Sequence, residues 1–306
     1  MFRSNSFLRG MRTSKAVRVE RWLPGTLALA LVVIAGVPVK AANTASQDVA
    51  QDPSILRVCA AANEHPYSTR DERGFENRIA KVIADAMGRT PLFVWHNKPA
   101  IYLVRDKLNM HVCDVVMGVD TGDERVATSE PYYRAPYVFV ERVESDLDIT
   151  SWESPDLVKA DKIGFVPGSP AQVMLTKLDL FNVHFNYMNS LTNFKSRRNQ
   201  YTRIDPKRLV GEVADGTADL AVAFAPEVGR YVKENSKLKM VVIPDNNVRV
   251  DGEKVPHHFS QSIAVRKEDE ALLNAINLAI EKARPKIKEI LTEEGIPLVE
   301  TSSSRS

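Results

Sequence analysis

Six histidines are among the side chains of this 306-residue chain that could support catalysis or metal binding. They do not fall into a catalytic or metal-binding spacing, and the sequence contains no HExxH, GxSxG, Walker A or GxGxxG motif. His257 and His258 are adjacent, so in a strand their side chains would point to opposite faces, and a solvated turn is the simpler interpretation. The sequence therefore predicts no catalytic residue and no metal site. The histidines are His65, His96, His111, His184, His257 and His258.

Two cysteines, Cys59 and Cys113, each lie at the edge of a short apolar segment, LRVC and CDVV. The absence of a CxxC spacing argues against a redox role. In an exported chain two cysteines favour pairing. A disulfide that closes a loop of about 54 residues would stabilise the fold by roughly 4 kcal/mol. Two buried free thiols are the alternative that the residues themselves leave open.

The stretch VPGSP precedes a helical segment in the second half of the chain. Gly168 and Ser169 could present backbone N–H groups to an anion at that helix start. An ordinary N-cap by the Ser169 hydroxyl is the structural alternative.

These residues must be positioned by alternating strands and helices. ILRVCAA, PLFVWH and CDVVMG are short apolar segments typical of buried strands, and FENRIAKVIADAMG has apolar residues at helical spacing, with Gly88 suited to the position after its end. AIYLVRDKLNMH is predicted as a second helix. A second block repeats the alternation, with NVHFNYM as its middle strand. FSQSIAVRKED is predicted to return as a strand, and Pro285 to kink or split the closing helix.

Short apolar strands between helices predict an α/β fold with a parallel sheet covered on both faces. The second block is inserted into the first by two crossings, which predicts a two-lobed clamshell, each lobe a parallel-rich sheet flanked by helices. Lobe 1 is expected to comprise residues 54–142 and 256–306, and lobe 2 residues 143–255. Ligands of such sheets bind at the carboxyl ends of the strands, so the expected site is the cleft between the lobes.

The first 41 residues are predicted to be a cleaved secretory signal peptide. A basic region precedes the apolar run TLALALVVIAGVPV and the small residues of VKA. That run is about 14 residues, short of the ~20 of a spanning helix, although an uncleaved anchor is the alternative. Residues 42–53 are predicted to be a flexible lead-in, and the location periplasmic. Removing residues 1–41 takes away seven basic and one acidic side chain, which leaves 34 against 38 and a net charge of −4. No nucleic-acid footprint remains.

Several motifs carry a family resemblance. RVC, GFENRIAKVIADAMG, DVVMG, SEPYY and SIAVRKEDEAL occur in the order found in type II periplasmic solute-binding proteins, and the resemblance covers nearly all of the mature chain. Within that superfamily, LRVCAAANEHPYS, CDVVMGV, PYYRAPYVFV and AFAPEVGRY resemble the MxaJ/XoxJ family, which is encoded beside quinoprotein methanol dehydrogenases. Paired cysteines at 59 and 113 are among its distinctive features. GDERVATSE favours the XoxJ branch.

In amino-acid receptors of this fold an Arg after the third strand grips the ligand carboxylate, and Arg125 matches that position. An ion pair with Asp123 or Glu124 on the rim is the alternative that the family context favours. The Asp that takes the ligand ammonium is missing, because GTADLAVAFAP places Asp219 at the first position of the pattern and Phe224 at the second. Burying an unpaired ammonium against a phenyl ring is costly. An apolar or aromatic contact, or none, is expected instead.

The resemblance also implies a ring at Tyr67 against the ligand, with packing between the lobes as the alternative. The residues expected at the ligand or partner cleft are Tyr67, Gly118, Arg125, Tyr132, Gly168, Ser169 and Phe224.

The resemblance implies a non-catalytic periplasmic accessory protein that assists or activates a methanol dehydrogenase dependent on pyrroloquinoline quinone (PQQ). Its expected partner is the large subunit, of XoxF or MxaF type, and a cytochrome c is a further candidate. PQQ and metal would belong to that partner, so no cofactor, nucleic acid or stable membrane insertion is expected here. One alternative is a substrate-binding protein that hands a small metabolite to an ABC transporter. The other is a periplasmic dehydratase, whose carboxylate could be Glu64, Glu124 or Asp114.

Overall fold

The computed structural model describes residues 52–192 and 204–300. The predicted signal peptide, 1–41, and all but the last two residues of the predicted lead-in lie outside the described residues. In the part of the chain that is described, no helix combines the length and apolarity that crossing a membrane requires.

The described strands form one large sheet and one small hairpin. The hairpin pairs β2 (Asn63–Glu64) with β3 (Ser68–Thr69). The strands of the large sheet are β1 (Ile55–Ala61), β4 (Thr90–His96), β5 (Val115–Asp120), β6 (Ala127–Thr128), β7 (Tyr133–Arg142), β8 (Ile163–Phe165), β9 (Leu220–Phe224), β10 (Leu238–Val242) and β11 (His258–Val265).

The order along the large sheet is β4-β1-β5-β11-β7-β9-β8, with β10 paired to β7 and β6 to β11. Parallel pairs lie at its two ends: β1 runs parallel to both β4 and β5, and β8 runs parallel to β9. The long strands β11 and β7 join these ends by antiparallel pairing. The prediction that FSQSIAVRKED returns as a strand is therefore confirmed.

The α-helices are α1 (Phe75–Ala86), α2 (Pro170–Lys177), α3 (Phe181–Ser190), α4 (Pro206–Ala214), α5 (Ala225–Lys233) and α6 (Glu270–Glu293). Helix α1 follows its predicted amphipathic pattern, since Phe75, Ile79 and Ile83 are buried on one face. Its end is also as predicted: Gly88 has φ +68°, the left-handed conformation that glycine adopts at this position.

Two hydrophobic cores cover the sheet. The first core packs α1 and α6 against β1, β5 and β11, and its members fall within 56–135 and 263–296. The second core is formed by residues within 138–255. A smaller cluster surrounds Cys59 and Cys113. The lobe boundaries at 142/143 and 255/256 stay a prediction.

Three local predictions need correction. NVHFNYM is not a strand but lies in α3, where the buried residues His184 and Met188 are four positions apart, while Val183 is exposed. Burial at that spacing is helical, so the alternation of apolar residues was misleading. AIYLVRDKLNMH forms a 3₁₀ turn at Ala100–Tyr102 and a π-helical turn at Val104–Leu108 rather than an α-helix. Helix α6 continues through Pro285, so of the two predicted alternatives the split is wrong and the kink stays a prediction.

Candidate functional site

The carboxyl ends of β1 and β5 open into a cavity of about 330 Å³. Adjacent parallel strands present their carboxyl ends at the same edge of a sheet, and this edge is where open α/β sheets bind ligands. The volume lies at the small end of the range for ligand pockets. The cavity is the candidate functional site, and it lies where the sequence predicts a cleft.

Aromatic rings form one side of the cavity. Tyr137 of β7 stands opposite Phe224, the last residue of β9, in the antiparallel register of these strands. The ring centroids of Tyr137 and Phe224 are 5.4 Å apart, and Phe259 of β11 lies 5.9 Å from the first and 6.1 Å from the second. Tyr67, which follows the first strand, adds a fourth ring to the lining. These distances are those of favourable aromatic pairs.

Carboxylates supply the charge of the cavity. Its lining includes Glu64, Glu76, Asp120 and Glu227, whereas no lysine, arginine or histidine is among the described residues that line it. Glu64 accepts a hydrogen bond from the Ala100 backbone N–H at 2.6 Å. Asp120 accepts one from the side-chain amide of Gln261 at 2.6 Å. The cavity is therefore an acidic site with an aromatic wall.

Glu76 is the most deeply buried of these carboxyl groups. It lies in the first turn of α1, is 8% exposed, and accepts a hydrogen bond from the Tyr132 hydroxyl to Oε1 at 3.0 Å. Burial raises the pKa of Glu76 to about 7; the Tyr132 hydrogen bond opposes this rise and the nearby Glu64 adds to it. Near neutral pH this carboxyl can therefore be either protonated or charged.

Gly118 makes room for that carboxyl. Its φ is +66°, which favours glycine, and a Cβ built on it would collide with the Glu76 carboxyl group. The predicted residues Tyr67, Gly118 and Phe224 all line the cavity. Tyr132 is buried directly behind it and reaches it through Glu76.

The structure does not bring Arg125 to the cavity. Its guanidinium is bound by Asp123, with Nη2 2.5 Å from Oδ2, and its side chain is 58% exposed. This short-range ion pair is the alternative that the sequence offered. An arginine held on the surface in this way cannot also grip a carboxylate in the cavity.

Gly168 and Ser169 are also absent from the described lining of the cavity. The Gly168 backbone N–H donates to Oε1 of Gln172 at 2.8 Å, so it is used within its own helix start. Ser169 occupies the N-cap position of α2, but its hydroxyl makes no capping hydrogen bond and is buried without a partner among the described residues. The expected anion site is therefore not formed at this cavity.

Of the three carboxylates considered for a dehydratase, only one lines the cavity. Asp114 is held at the other end of β5 by Arg57, with Nη2 2.6 Å from Oδ1, and Glu124 is exposed; neither lines the cavity. Glu64 does line it.

His257 is buried rather than part of a solvated turn. Its Nε2 accepts a hydrogen bond from Trp152 Nε1 at 2.9 Å, and Nδ1 lies 2.8 Å from the Val255 carbonyl oxygen. Burial lowers the pKa of His257, consistent with a neutral ring in this network. The described residues contain no cluster of three or more His, Cys, Asp or Glu side chains that could hold a metal.

The two cysteines form a disulfide between the neighbouring strand regions of β1 and β5. The Cα atoms of Cys59 and Cys113 are 5.5 Å apart, within the usual range for a bridge. The alternative of two free thiols is wrong. Because Cys59 also lines the cavity, the bridge ties one wall of the site to the sheet.

Sequence analysis missed Glu76, Asp120, Tyr137, Glu227 and Phe259. A signal existed for Glu76, because it lies on the same helical face as Ile79 and Ala80, where an acidic side chain is out of place. Asp120, Tyr137 and Phe259 come together only through the pairing of distant strands, and Glu227 follows β9 in the first turn of α5; no local pattern reveals either.

A mixed α/β sheet with two cores and a cavity at the strand ends is typical of α/β proteins that bind a ligand in a cleft. The chain belongs to the bacterial extracellular solute-binding proteins, family 3, whose family model matches residues 56–293. This match confirms the predicted fold class.

Individual relatives agree with the resemblance. The chain is 49% identical to "Protein MoxJ" of Methylorubrum extorquens over 265 residues, 86% of this chain and 88% of that protein. It is also similar to MxaJ from Methlophaga aminisulfidivorans MPT, whose crystal structure is known. The two chains are 53% identical, their structures have a TM-score of 0.76, and the match covers 80% of this chain and all of that one. The periplasmic binding protein XoxJ from Methylobacterium extorquens AM1, 24% identical with a TM-score of 0.60 over 80% of this chain and all of that one, shows the shared fold. The preference for the XoxJ branch stays a prediction.

Proposed function

We propose that this chain is a non-catalytic periplasmic accessory of methanol oxidation that assists or activates a PQQ-dependent methanol dehydrogenase. Support comes from its similarity to proteins named MoxJ and MxaJ over most of its length. The resemblance of the sequence to the MxaJ/XoxJ family points to the same system. The dehydrogenase large subunit, of XoxF or MxaF type, is the proposed partner, and a cytochrome c is the second candidate.

The observation that carries the proposal is the position of Phe224 in the cavity. In an amino-acid receptor this position holds the carboxylate that pairs with the ligand ammonium. Here it holds a ring packed against Tyr137 and Phe259. Arg125, which would hold the other end of an amino acid, lies outside the cavity. Without either grip, the cavity is poorly suited to a free amino acid.

The proposed mechanism is closure of this aromatic cavity on an exposed group of the immature dehydrogenase. An apolar or aromatic group would replace water against Phe224 and its neighbours, which is favourable for an amphipathic segment but not for a free zwitterion. PQQ and the catalytic metal would belong to the dehydrogenase, and this chain would bind neither stably. Its contribution would be to hold the partner in a conformation that accepts them.

The test measures dehydrogenase activity in periplasmic extracts of cells that lack this protein and are complemented with variants. Phe224→Asp puts a charge into the ring cluster and should reduce activation severalfold, whereas the surface change Arg125→Ala should leave it at the parental level. Thermal unfolding of both purified variants shows whether each is folded. A folded Phe224→Asp protein that activates fully would refute the proposed role of the cavity. Affinity purification of the tagged mature protein from its native periplasm should recover the dehydrogenase large subunit.

Transport is the second candidate, because the cavity has the volume of a small-molecule pocket. In that case a single metabolite should bind the purified chain with micromolar affinity. The transport hypothesis as predicted from the sequence also requires Arg125→Ala to abolish that binding. Recovery of a permease instead of a dehydrogenase would favour it.

A further inference from the structure

We propose that the cavity binds an organic cation that carries no carboxylate, namely an ammonium or guanidinium group on an apolar or aromatic stem. The proposal concerns the cavity of the proposed function and deepens it by naming the class of its occupant. The binding measurements that decide it use no dehydrogenase, so the two proposals can fail separately.

The charged side chains that line the cavity in the described part of the chain are all acidic. The lining contains carboxylates and, within the described residues, no basic side chain. Asp120 accepts a hydrogen bond from the neutral amide of Gln261, which leaves its charge uncompensated, and no described cation forms a salt bridge with it. Asp120 is exposed at the end of β5, so water screens its charge, whereas Glu76 is buried and, when ionised, attracts a cation and repels an anion more strongly than a carboxylate in water does. A ligand carboxylate would find no cationic side chain among the described residues that line the cavity.

The cavity lining also contains a buried carboxyl, that of Glu76. Glu76 is more than nine-tenths buried and lines the cavity, yet Tyr132 donates the only hydrogen bond that its carboxyl accepts from the described residues, and it goes to Oε1. The second oxygen, Oε2, is left for a ligand. A cationic donor that binds this oxygen would stabilise the ionised form of the carboxyl, because its charge compensates the cost of burying a carboxylate.

The aromatic wall of the cavity also favours a cation. A cation above a phenyl or phenol face is attracted by the negative face of the ring, with the strongest effect where water is excluded. Tyr137, Phe224 and Phe259 present three rings with centroids 5.4 to 6.1 Å apart. Aromatic rings and carboxylates in the lining of one cavity are the combination that recognises an alkylated ammonium or a guanidinium.

The test compares three probes of similar size that differ in charge: benzylammonium, benzyl alcohol and benzoate. Binding to the purified mature chain is measured by isothermal titration calorimetry near pH 8, where the Glu76 carboxyl is largely ionised. Benzylammonium should bind at least roughly tenfold more tightly than benzyl alcohol, and benzoate should bind most weakly.

Variants locate the effect. Glu76→Gln keeps the shape and the acceptor for Tyr132, and should reduce the preference for benzylammonium over benzyl alcohol by roughly tenfold while leaving benzyl alcohol unchanged. Phe224→Leu should reduce the preference for benzylammonium over benzyl alcohol by roughly threefold, because leucine is apolar but has no ring face. Glu289→Gln, an exposed carboxyl of α6, is the matched control and should change nothing.

Three outcomes would overturn the proposal: benzyl alcohol or benzoate binding as tightly as the cation, no benzylammonium binding, or a Glu76→Gln effect equal on all three probes. A final arm separates two sources of the cation. If benzylammonium displaces the dehydrogenase large subunit from the immobilised chain, the occupant is a lysine or arginine side chain of that partner. If it binds without displacing the subunit, the occupant is a free solute.

Discussion

Glu76→Gln replaces a buried carboxyl by a group of the same shape that carries no charge at any pH. Gln keeps an oxygen at the position that accepts the Tyr132 hydroxyl, now 3.0 Å from Glu76 Oε1. The substitution therefore isolates the cost of ionising this side chain inside the cavity. Its effect on the free energy of unfolding should depend on pH.

The direction follows from the pKa values of the two states. Burial holds the pKa of Glu76 at about 7 in the folded chain, above the ordinary value of 4.5 that applies when it is unfolded. A raised folded-state pKa contributes stability that is fully present below about pH 4.5 and is lost as the pH rises through about 7. The difference corresponds to a loss of roughly 3 kcal/mol by pH 8 and less than about 1 kcal/mol at pH 5. Glu76→Gln avoids this loss.

Urea unfolding of the parent and Glu76→Gln should therefore show the variant gaining roughly 2 to 3 kcal/mol on the parent between pH 5 and pH 8. Glu289→Gln, which changes an exposed carboxyl on α6, should follow the parent at every pH. Other titrating groups are common to all three proteins, so the comparison removes their contribution. If the parent and Glu76→Gln run parallel across this range, the carboxyl is not held in a desolvated site and the reasoning fails.

Three further predictions concern the frame of the site. Reducing the disulfide, whose cysteines are 54 positions apart, should lower the free energy of urea unfolding by roughly 4 kcal/mol, and equal stability with and without reductant would contradict this. Gly118→Ala should lower the free energy of unfolding by about 2 kcal/mol more than Gly88→Ala does. Both glycines have φ near +67°, but a Cβ would strike a neighbour only at Gly118. Equal losses in the two variants would argue against the close packing at Gly118. Glu294→Gln removes the charge from a buried bidentate pair with Arg230 and should lower the free energy of unfolding by about 3 kcal/mol. Glu293→Gln, on the exposed side of the same turn, should lower it by less than about 1 kcal/mol. Calorimetric unfolding of the two variants measures this difference.

Much of the frame could be predicted from the sequence because its signals are local. The stripe of Phe75, Ile79 and Ile83 fixes α1, and short apolar runs fix the strands on either side. Gly88 ends the helix because its left-handed conformation is one that few other residues adopt easily. Local signals failed in α3, where apolar residues alternate along the chain but Val183 and Phe185 face solvent in a helix.

The candidate site was predicted only in part because it depends on long-range pairing. Tyr137 reaches Phe224 through the β7–β9 register, and Phe259 joins them through β11. No spacing in the sequence shows that these rings meet. For Arg125 the sequence left two placements open, the receptor position and an ion pair with Asp123 or Glu124, and in the structure Asp123, two residues earlier, binds the guanidinium.

The two departures from an amino-acid receptor have a common physical meaning. A zwitterion needs a cation for its carboxylate and a carboxylate for its ammonium, and losing either grip alone would leave a buried ligand charge unpaired. In this chain both positions have changed together: Arg125 pairs on the surface, and Phe224 packs among rings. The acidic groups that remain, Glu76 and Asp120, can hold only one kind of charge. A cavity lined by carboxylates and aromatic rings is suited to a ligand with a single cationic end, and a side chain presented by a protein partner has that form as readily as a free solute.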